Sequence, residues 1–133
     1  MRKIIVGAQV SIDGVMQAPG GPTEDPTRGF KFGGWAMPYF SPEFGEEIDR
    51  VFKQKFDLLL GRKTYEIFAA YWPYYEEDAH GGIAELFNEI KKYVVSRSSD
   101  VDTGWASTVL LRDITYFLIL LNNSAIPPWV SSS

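Results

Sequence analysis

A short apolar run in the middle of the chain is followed directly by a glycine, two cations and a hydroxyl. Leu58–Leu60 precede the four residues Gly61, Arg62, Lys63 and Thr64, and helix-forming sequence begins there. The first N–H groups of a helix have no partner within it, and together with the helix dipole they favour an anion. A strand that runs into a helix here would form a phosphate site, to which the side chains add charge and a hydroxyl. The alternative is that Gly61 only turns the chain and that both cations are solvated.

A second polar turn, made of Ser96, Arg97 and Ser98, ends the apolar run Tyr93–Val95. Arginine presents a planar fork of donors that suits a dianionic phosphate, and the flanking hydroxyls could complete the shell of donors. The alternative is an ordinary polar turn that closes a strand.

Asp13 follows the β-branched segment Lys3–Val10, close to the end of a predicted strand. Open α/β sheets bind ligands outside the carboxyl ends of their strands. A carboxylate there could bind a substrate heterocycle or relay a proton to a ring nitrogen during catalysis. An Asp-Gly pair is more often only a turn, and both interpretations stay open.

The composition excludes several other kinds of site. At 133 residues, with 45% apolar and 23% charged residues, the chain should form one globular domain. Its net charge of −4 argues against nucleic acid as a partner. Cysteine is absent and His80 is the single histidine, so no metal site is expected. A hydrolase site built from Glu76–Asp78 and His80 is disfavoured, because consecutive loop acids rarely converge on one ion.

The longest apolar stretch, Tyr116–Leu121, is far shorter than the roughly 20 residues that a membrane span needs. The apolar run that follows Arg2 and Lys3 is too short for a signal peptide. We therefore expect a cytoplasmic protein with no membrane partner.

The order of predicted elements is typical of an α/β fold. Ser41 is a good N-cap and Pro42 suits a first helical position, so a helix should begin there, after a Gly- and Pro-rich loop over residues 17–39. The predicted order is a strand over Lys3–Val10, this helix, a strand over Leu58–Leu60, a helix to about Ala70, a helix over Ile83–Ile90 and a strand over Tyr93–Val95. Strands that alternate with helices predict mostly parallel neighbours.

Two aromatic clusters follow the long loop and the second predicted helix. They could form a stacking wall for a flat heterocycle, or they could form core and a homodimer face. Their members are Trp35, Tyr39, Phe40, Tyr71, Trp72, Tyr74 and Tyr75.

Two common nucleotide signatures are absent from the chain. No two glycines are separated by a single residue, which excludes Gly-x-Gly-x-x-Gly, and Gly61 is followed by Arg62 rather than by the lysine of a P-loop. The chain instead resembles the dihydrofolate reductase-like family, in particular the reductase domain of bacterial bifunctional deaminase-reductases of riboflavin synthesis and their stand-alone relatives. The motifs that carry this resemblance are Ser11-Ile12-Asp13-Gly14, Gly61-Arg62-Lys63-Thr64-Tyr65-Glu66 and Val94-Val95-Ser96-Arg97-Ser98.

The resemblance implies an α/β fold with a mostly parallel sheet flanked by helices. It also implies an NADPH-dependent reductase that transfers hydride to a pyrimidine- or pterin-like heterocycle, as in the reduction of 5-amino-6-(5-phosphoribosylamino)uracil. By the same resemblance, the residues that hold the pyrophosphate and approach the ribose phosphate are Gly61, Arg62, Lys63 and Thr64. Those that take the 2′-phosphate, and so favour NADPH over NADH, are Ser96, Arg97 and Ser98.

Dihydrofolate itself is not the expected substrate. Folate reductases carry their key acid on the helix after the long loop. The acids of that helix do not clearly share the apolar face set by Phe44, Ile48 and Val51; they are Glu43, Glu46, Glu47 and Asp49.

The resemblance covers residues 1 to about 113, which predicts a reductase domain over 1–113 and a divergent tail over 114–133. Family members continue into a second glycine-rich phosphate turn, whereas no glycine follows Gly104. We therefore expect a truncated or altered C-terminal part, weakened NADPH binding and an unpaired sheet edge. Tyr116–Leu121 should act as a substitute strand or pair with another copy, which predicts a homodimer or a swapped C-terminal segment. A second hypothesis is a degenerate, non-catalytic family member that serves as an oligomeric interaction module.

Overall fold

The computed structural model describes residues 3–75 and 82–122, and the chain divides into two compact units. The first unit spans Ile4–Lys55, and the second contains the described residues from Phe56 onward. All three strands of the described residues belong to the second unit.

The elements confirm the α/β class. The first unit ends with helix α1 (Pro42–Phe52), after short 3-10 turns at Thr27–Gly29 and Met37–Tyr39. The second unit contains β1 (Leu58–Gly61), α2 (Arg62–Tyr71), a 3-10 turn at Trp72–Tyr74, α3 (Ile83–Glu89), β2 (Lys92–Val95), β3 (Thr108–Leu111) and α4 (Ile114–Asn122). The predicted strands over Leu58–Leu60 and Tyr93–Val95 and the helices on either side of Trp72–Tyr74 are all present.

The sheet has the order β1-β2-β3, and both pairings are parallel. Gly61 pairs with Val95, and Val95 pairs with Leu111. The three strands therefore end at the same level, and the chain leaves each of them at one common edge.

Helices cover both faces of this sheet. Alternate residues of a strand point to opposite sides, so each face presents its own set of side chains to a helix. On one face, α4 packs on a cluster around the buried Tyr93 and Leu111, whose other members are Val95, Val109, Tyr116 and Phe117. On the opposite face, Val94 and Tyr65 of α2 are buried, and the Tyr65 hydroxyl donates to Thr108 Oγ1 at 3.3 Å. The second unit is thus a small three-layer α/β domain.

The prediction that Tyr116–Leu121 forms a substitute strand is wrong, because this segment lies within helix α4. Thr108–Leu111, which the sequence pattern did not mark as a strand, instead pairs with β2. Asp113 then stops the strand and starts a helix, since its Oδ1 accepts from the backbone N–H and the hydroxyl of Thr115, both at 2.7 Å. The swapped segment proposed for the C-terminus falls partly on residues 123–133, which lie outside the described residues.

The prediction of a first strand over Lys3–Val10 is also wrong, because the structure assigns no strand there. Its apolar side chains are exposed, with Val6 at 86%. A β-branched run becomes a strand only when a neighbour accepts and donates its ladder hydrogen bonds, and none of the described strands pairs with this run.

The long loop predicted over residues 17–39 is held together by its own polar groups. Gln17 Nε2 donates to the carbonyls of Asp25 and Thr27, both at 3.0 Å, and Trp35 Nε1 donates to the Gln17 carbonyl at 2.9 Å. Gly34 N–H donates to the Ala18 carbonyl at 2.8 Å. Trp35 of the first aromatic cluster therefore has a structural role in closing this loop.

Helix α1 begins where the sequence predicts. Ser41 Oγ accepts from the Phe44 N–H at 3.3 Å, and Pro42 occupies the first turn. No residue of this helix is buried, and its four acids are exposed; they are Glu43, Glu46, Glu47 and Asp49. The expectation that dihydrofolate is not the substrate stays a prediction.

Candidate functional site

The common carboxyl edge of the three strands brings the two predicted anion-binding segments together. The chain continues from β1 into Arg62, from β2 into Ser96 and from β3 into Arg112. The Ser96 N–H donates to the Leu111 carbonyl at 3.0 Å, which holds the turn after β2 against the end of β3. Residues from two distant motifs and a third segment thus meet at one edge, where open α/β sheets bind their ligands.

Arg62 forms hydrogen bonds with two carboxylates at this edge. Its Nε donates to Glu66 Oε1 at 2.7 Å, one helical turn onward, and its Nη1 donates to Asp100 Oδ1 at 2.8 Å. These two carboxylates raise the pKa of the Arg62 guanidinium, mainly through their hydrogen bonds. The side chain is 38% exposed, so it is held at the surface rather than inside the domain.

The Ser96–Ser98 turn is joined to Arg62 through the same carboxylate oxygen. The Ser98 hydroxyl donates to Asp100 Oδ1, and the Ser98 N–H donates to Ser96 Oγ at 3.2 Å. Asp100 therefore lies between the two predicted segments and accepts from both. Sequence reasoning missed this residue, because an acid in a polar turn carries no signal of which distant cation it will meet.

Arg112 is a further cation that sequence reasoning missed. Its Nη2 donates to the Arg97 carbonyl at 3.3 Å, so β3 contributes a guanidinium beside the turn after β2. Arg97 is exposed and lies near Asp113, whose pKa is lowered chiefly by its hydrogen bonds from Thr115 and further by the Arg97 charge. The signal was present in the sequence, since Val109–Leu111 followed by an arginine repeats the pattern of Leu58–Leu60 before Gly61 and Arg62.

Gly61 leaves open space at the start of α2. Its φ of −72° and ψ of 158° are accessible to any residue, and a Cβ built there would meet no atom within 4 Å. No side chain of the described residues caps this helix. Lys63 and Thr64, in the first turn, are exposed. The start of α2 thus combines an uncapped helix N-terminus with surrounding donors, which suits an anion.

Asp13 belongs to the first unit and lies in a tight turn. The Ser11 carbonyl accepts from the Gly14 N–H at 2.9 Å, Ser11 Oγ accepts from the Val15 N–H at 2.8 Å, and the Ser11 hydroxyl donates to Asp13. Gly14 has a φ of +86°, which favours glycine. The carboxylate is exposed, and its catalytic role stays a prediction.

The second aromatic cluster divides between core and surface. Trp72 packs edge-on against the buried Phe87, with ring centres 5.0 Å apart, and Tyr71 contacts both Trp72 and Tyr75. Tyr74 is exposed and lines an open cleft of about 800 Å³ beside α2, with Tyr65 and Trp105 also in its lining. Most of this cluster is therefore packed ring against ring, and only Tyr74 offers a free face in the cleft.

Among residues 3–75 and 82–122, the structure contains neither a metal-binding cluster nor a membrane-spanning helix. No group of three acids or histidines there could hold a metal ion, and no helix there is long and apolar enough to cross a bilayer. Glu76–Asp78 and His80 lie outside the described residues.

The fold and the edge define an α/β domain in which arginines, hydroxyls and carboxylates lie together at the carboxyl ends of parallel strands. The chain belongs to the RibD C-terminal domain family, which matches residues 2–133 and is the reductase domain of the dihydrofolate reductase-like family. This membership supports a riboflavin-biosynthesis reductase-like function at the level of the family, whose members are generally NADPH-dependent. No curated protein matches the chain. The division at residue 113 stays a prediction.

Proposed function

We propose that this protein is an NADPH-dependent reductase that transfers hydride to a pyrimidine- or pterin-like heterocycle, as in the reduction of 5-amino-6-(5-phosphoribosylamino)uracil. The observation that carries the proposal is the meeting of Arg62 with the Ser96–Ser98 turn through Asp100, at the edge where Gly61 pairs with Val95. Family membership supplies the reaction class. The geometry supports a phosphate-binding surface built from the segments that the resemblance implies.

The donors present at the edge fit a dinucleotide. The open space at Gly61 admits a phosphate close to the start of α2, where the Thr64 hydroxyl and the charge of Lys63 add to the helix dipole. The guanidinium groups of Arg97 and Arg112 extend the positive surface along the ends of β2 and β3. Bound NADPH would supply the hydride.

The residues of the protein itself would bind the phosphate groups of the cofactor and would orient the ring of the cofactor and that of the heterocyclic substrate. Ser96, Arg97 and Ser98 are assigned to the 2′-phosphate, because hydroxyls beside a guanidinium complete the shell of a dianion. Asp13 is assigned to hydrogen-bond the heterocycle or relay a proton to it.

A matched pair of arginine variants tests the nucleotide site. Arg62 and Arg50 both form ion pairs on helix surfaces, with Glu66 and Asp100 in one case and with Glu47 in the other. Arg62→Ala should weaken NADPH binding by at least tenfold, since a charge-assisted hydrogen bond is worth about 1.5–3 kcal/mol. Arg50→Ala should leave it unchanged. Isothermal titration calorimetry with each purified variant, next to the wild type, measures this difference.

Unchanged NADPH binding in Arg62→Ala would remove Arg62 from the site. Absence of NADPH binding to the wild type, in calorimetry and in thermal unfolding, would contradict the reductase proposal.

A second candidate function is a non-catalytic oligomeric module. The observation that favours it is that both hydrogen bonds of Arg62 at the edge are made to carboxylates of the chain itself. We propose a homodimer under either function. Light scattering coupled to size-exclusion chromatography measures the mass, and a clean monomer would overturn the dimer and with it the interaction module.

A further inference from the structure

Asp100 occupies the place at the sheet edge where donors from two segments converge. Its Oδ1 accepts from Arg62 Nη1 at 2.8 Å and from the Ser98 hydroxyl, and its own N–H donates to Ser98 Oγ at 3.5 Å. The side chain is nevertheless 69% exposed. The carboxylate therefore faces solvent while it holds the donors that an incoming anion would need.

We propose that Asp100 is a specificity-determining residue of the nucleotide site, which disfavours a ligand that carries a 2′-phosphate relative to one that carries a 2′-hydroxyl. This inference rests on the proposed function, because it assigns a role within the same dinucleotide site. The motif that carries the resemblance here ends at Ser98, before this acid.

The physical basis is competition between two anions for the same donors. A phosphate that approaches Arg62 and Ser98 must displace the Asp100 carboxylate, and it is repelled by that carboxylate as long as it stays nearby. A ribose hydroxyl meets neither obstacle, since it can donate a hydrogen bond to the carboxylate where it already lies. Asp100 thus lowers the affinity for the phosphorylated ligand, and it leaves the affinity for the hydroxyl ligand unchanged or raises it.

Other charged side chains at the edge determine how strongly Asp100 changes the affinity for the phosphorylated ligand. Glu66 also accepts from Arg62, so one guanidinium is shared by two carboxylates. Arg97 and Arg112 offset part of this negative charge from the ends of β2 and β3. Arg62, Glu66 and Asp100 together carry a net charge of −1, so neutralisation of Asp100 makes this group neutral, and a single substitution should therefore be measurable.

The variant Asp100→Asn separates charge from shape. The amide oxygen of asparagine can still accept from Arg62 and Ser98, whereas the repulsion of a phosphate disappears. Asp102→Asn is the matched control, because Asp102 is also exposed, its hydrogen bond within the described residues is a local one from the Gly104 N–H at 2.9 Å, and the substitution removes the same unit of charge. Calorimetric titration of wild type and both variants with NADPH, NADH, adenosine 2′-phosphate and adenosine 5′-phosphate provides the readout.

Asp100→Asn should bind NADPH and adenosine 2′-phosphate on the order of tenfold more tightly at low ionic strength, with a smaller gain at high salt. Its affinity for NADH and adenosine 5′-phosphate should stay the same or fall, and Asp102→Asn should resemble the wild type. NADPH binding that is equal or weaker in Asp100→Asn would overturn the inference and leave the reductase proposal standing. Absence of binding of every nucleotide to wild type and Asp100→Asn would overturn both.

Discussion

Lys92 Nζ lies 4.4 Å from the centre of the Trp105 ring and donates to the backbone carbonyls at the end of helix α3. The lysine is fully buried at the start of the central strand β2. Its ammonium group is stabilised there because the last carbonyls of a helix have no partner within the helix and carry the negative end of its dipole. The acceptors are the carbonyls of Phe87, Asn88 and Ile90.

Lys92→Met should therefore destabilise the domain. The substitution keeps the volume but leaves these carbonyls without a donor, and we expect a loss of about 1–3 kcal/mol in the free energy of unfolding. Lys91→Met, at the exposed neighbouring position, should change it by less than about 0.5 kcal/mol. Urea denaturation of the three proteins measures both values. A Lys92→Met variant as stable as the wild type would mean that desolvation of the ammonium cancels its hydrogen bonds.

The same lysine should give stability a distinct dependence on pH. Burial lowers the pKa of Lys92 below its ordinary value of 10.5. Between the lowered pKa and 10.5 the unfolded state binds more protons, so this group makes stability rise with pH over that window. The difference in unfolding free energy between the wild type and Lys92→Met should grow as pH increases toward 10.5.

Tyr71 should act in the opposite direction at higher pH. Burial, followed by its hydrogen bond with Tyr75, raises the pKa of Tyr71 from 10.0 to about 12. The unfolded chain therefore loses this proton first, and the contribution of Tyr71 to stability is complete below pH 10 and is lost as pH rises toward 12. Tyr71→Phe should lose less stability than the wild type between pH 10 and pH 12. An equal loss of unfolding free energy in both proteins between pH 10 and pH 12 would contradict the raised pKa of Tyr71.

Gly61→Ala separates the fold from the nucleotide site. The backbone angles permit alanine and its Cβ would meet nothing, so stability should stay within about 1 kcal/mol, because a less flexible unfolded chain and a poorer N-cap act in opposite directions. NADPH affinity should fall, since the methyl group occupies the space proposed for a phosphate. Thermal unfolding and calorimetric titration of the same sample measure the two effects.

Gly33→Ala is the contrasting control. Its Cβ would lie 2.6 Å from the Pro22 carbonyl oxygen and 2.7 Å from that of Gly21, so we expect a loss of about 1–3 kcal/mol in stability. Unchanged NADPH affinity in Gly61→Ala would show that no ligand approaches the start of α2 closely.

Asn88 connects three segments of the second unit. Its Oδ1 accepts from Trp105 Nε1 at 2.7 Å, and its Nδ2 donates to the Trp72 carbonyl at 3.3 Å. Asn88→Ala should cost about 1–3 kcal/mol, because the indole N–H of a buried tryptophan loses its acceptor. Glu89→Ala, at the exposed end of the same helix, should have little effect. Equal stability of the two variants in urea would show that water replaces the amide.

Local sequence patterns correctly predicted those helices and strands for which residue propensity, capping residues and hydrophobic spacing all indicate the same secondary structure. The run Leu58–Leu60, the Ser41-Pro42 start and the strand Tyr93–Val95 are all where the sequence places them, since propensity, capping and hydrophobic period point to one state. The parallel order of the strands also indicates that the two segments predicted to bind an anion lie at one edge of the sheet.

Three features of the structure depend on contacts between residues that are distant in the sequence, and no local pattern predicts such contacts. Lys3–Val10 has strand propensity without a strand to pair with in the described sheet, and Tyr116–Phe117 are helical because they cover Tyr93 and Leu111. The sequence by itself determined the class of fold and marked Arg62, Lys63 and Arg97 as candidates to face an anion, whereas Arg112 was recognised only in the structure. The tertiary structure alone decided that Asp100 lies between Arg62 and Ser98, because residues 62 and 100 meet only through the pairing of β1 with β2.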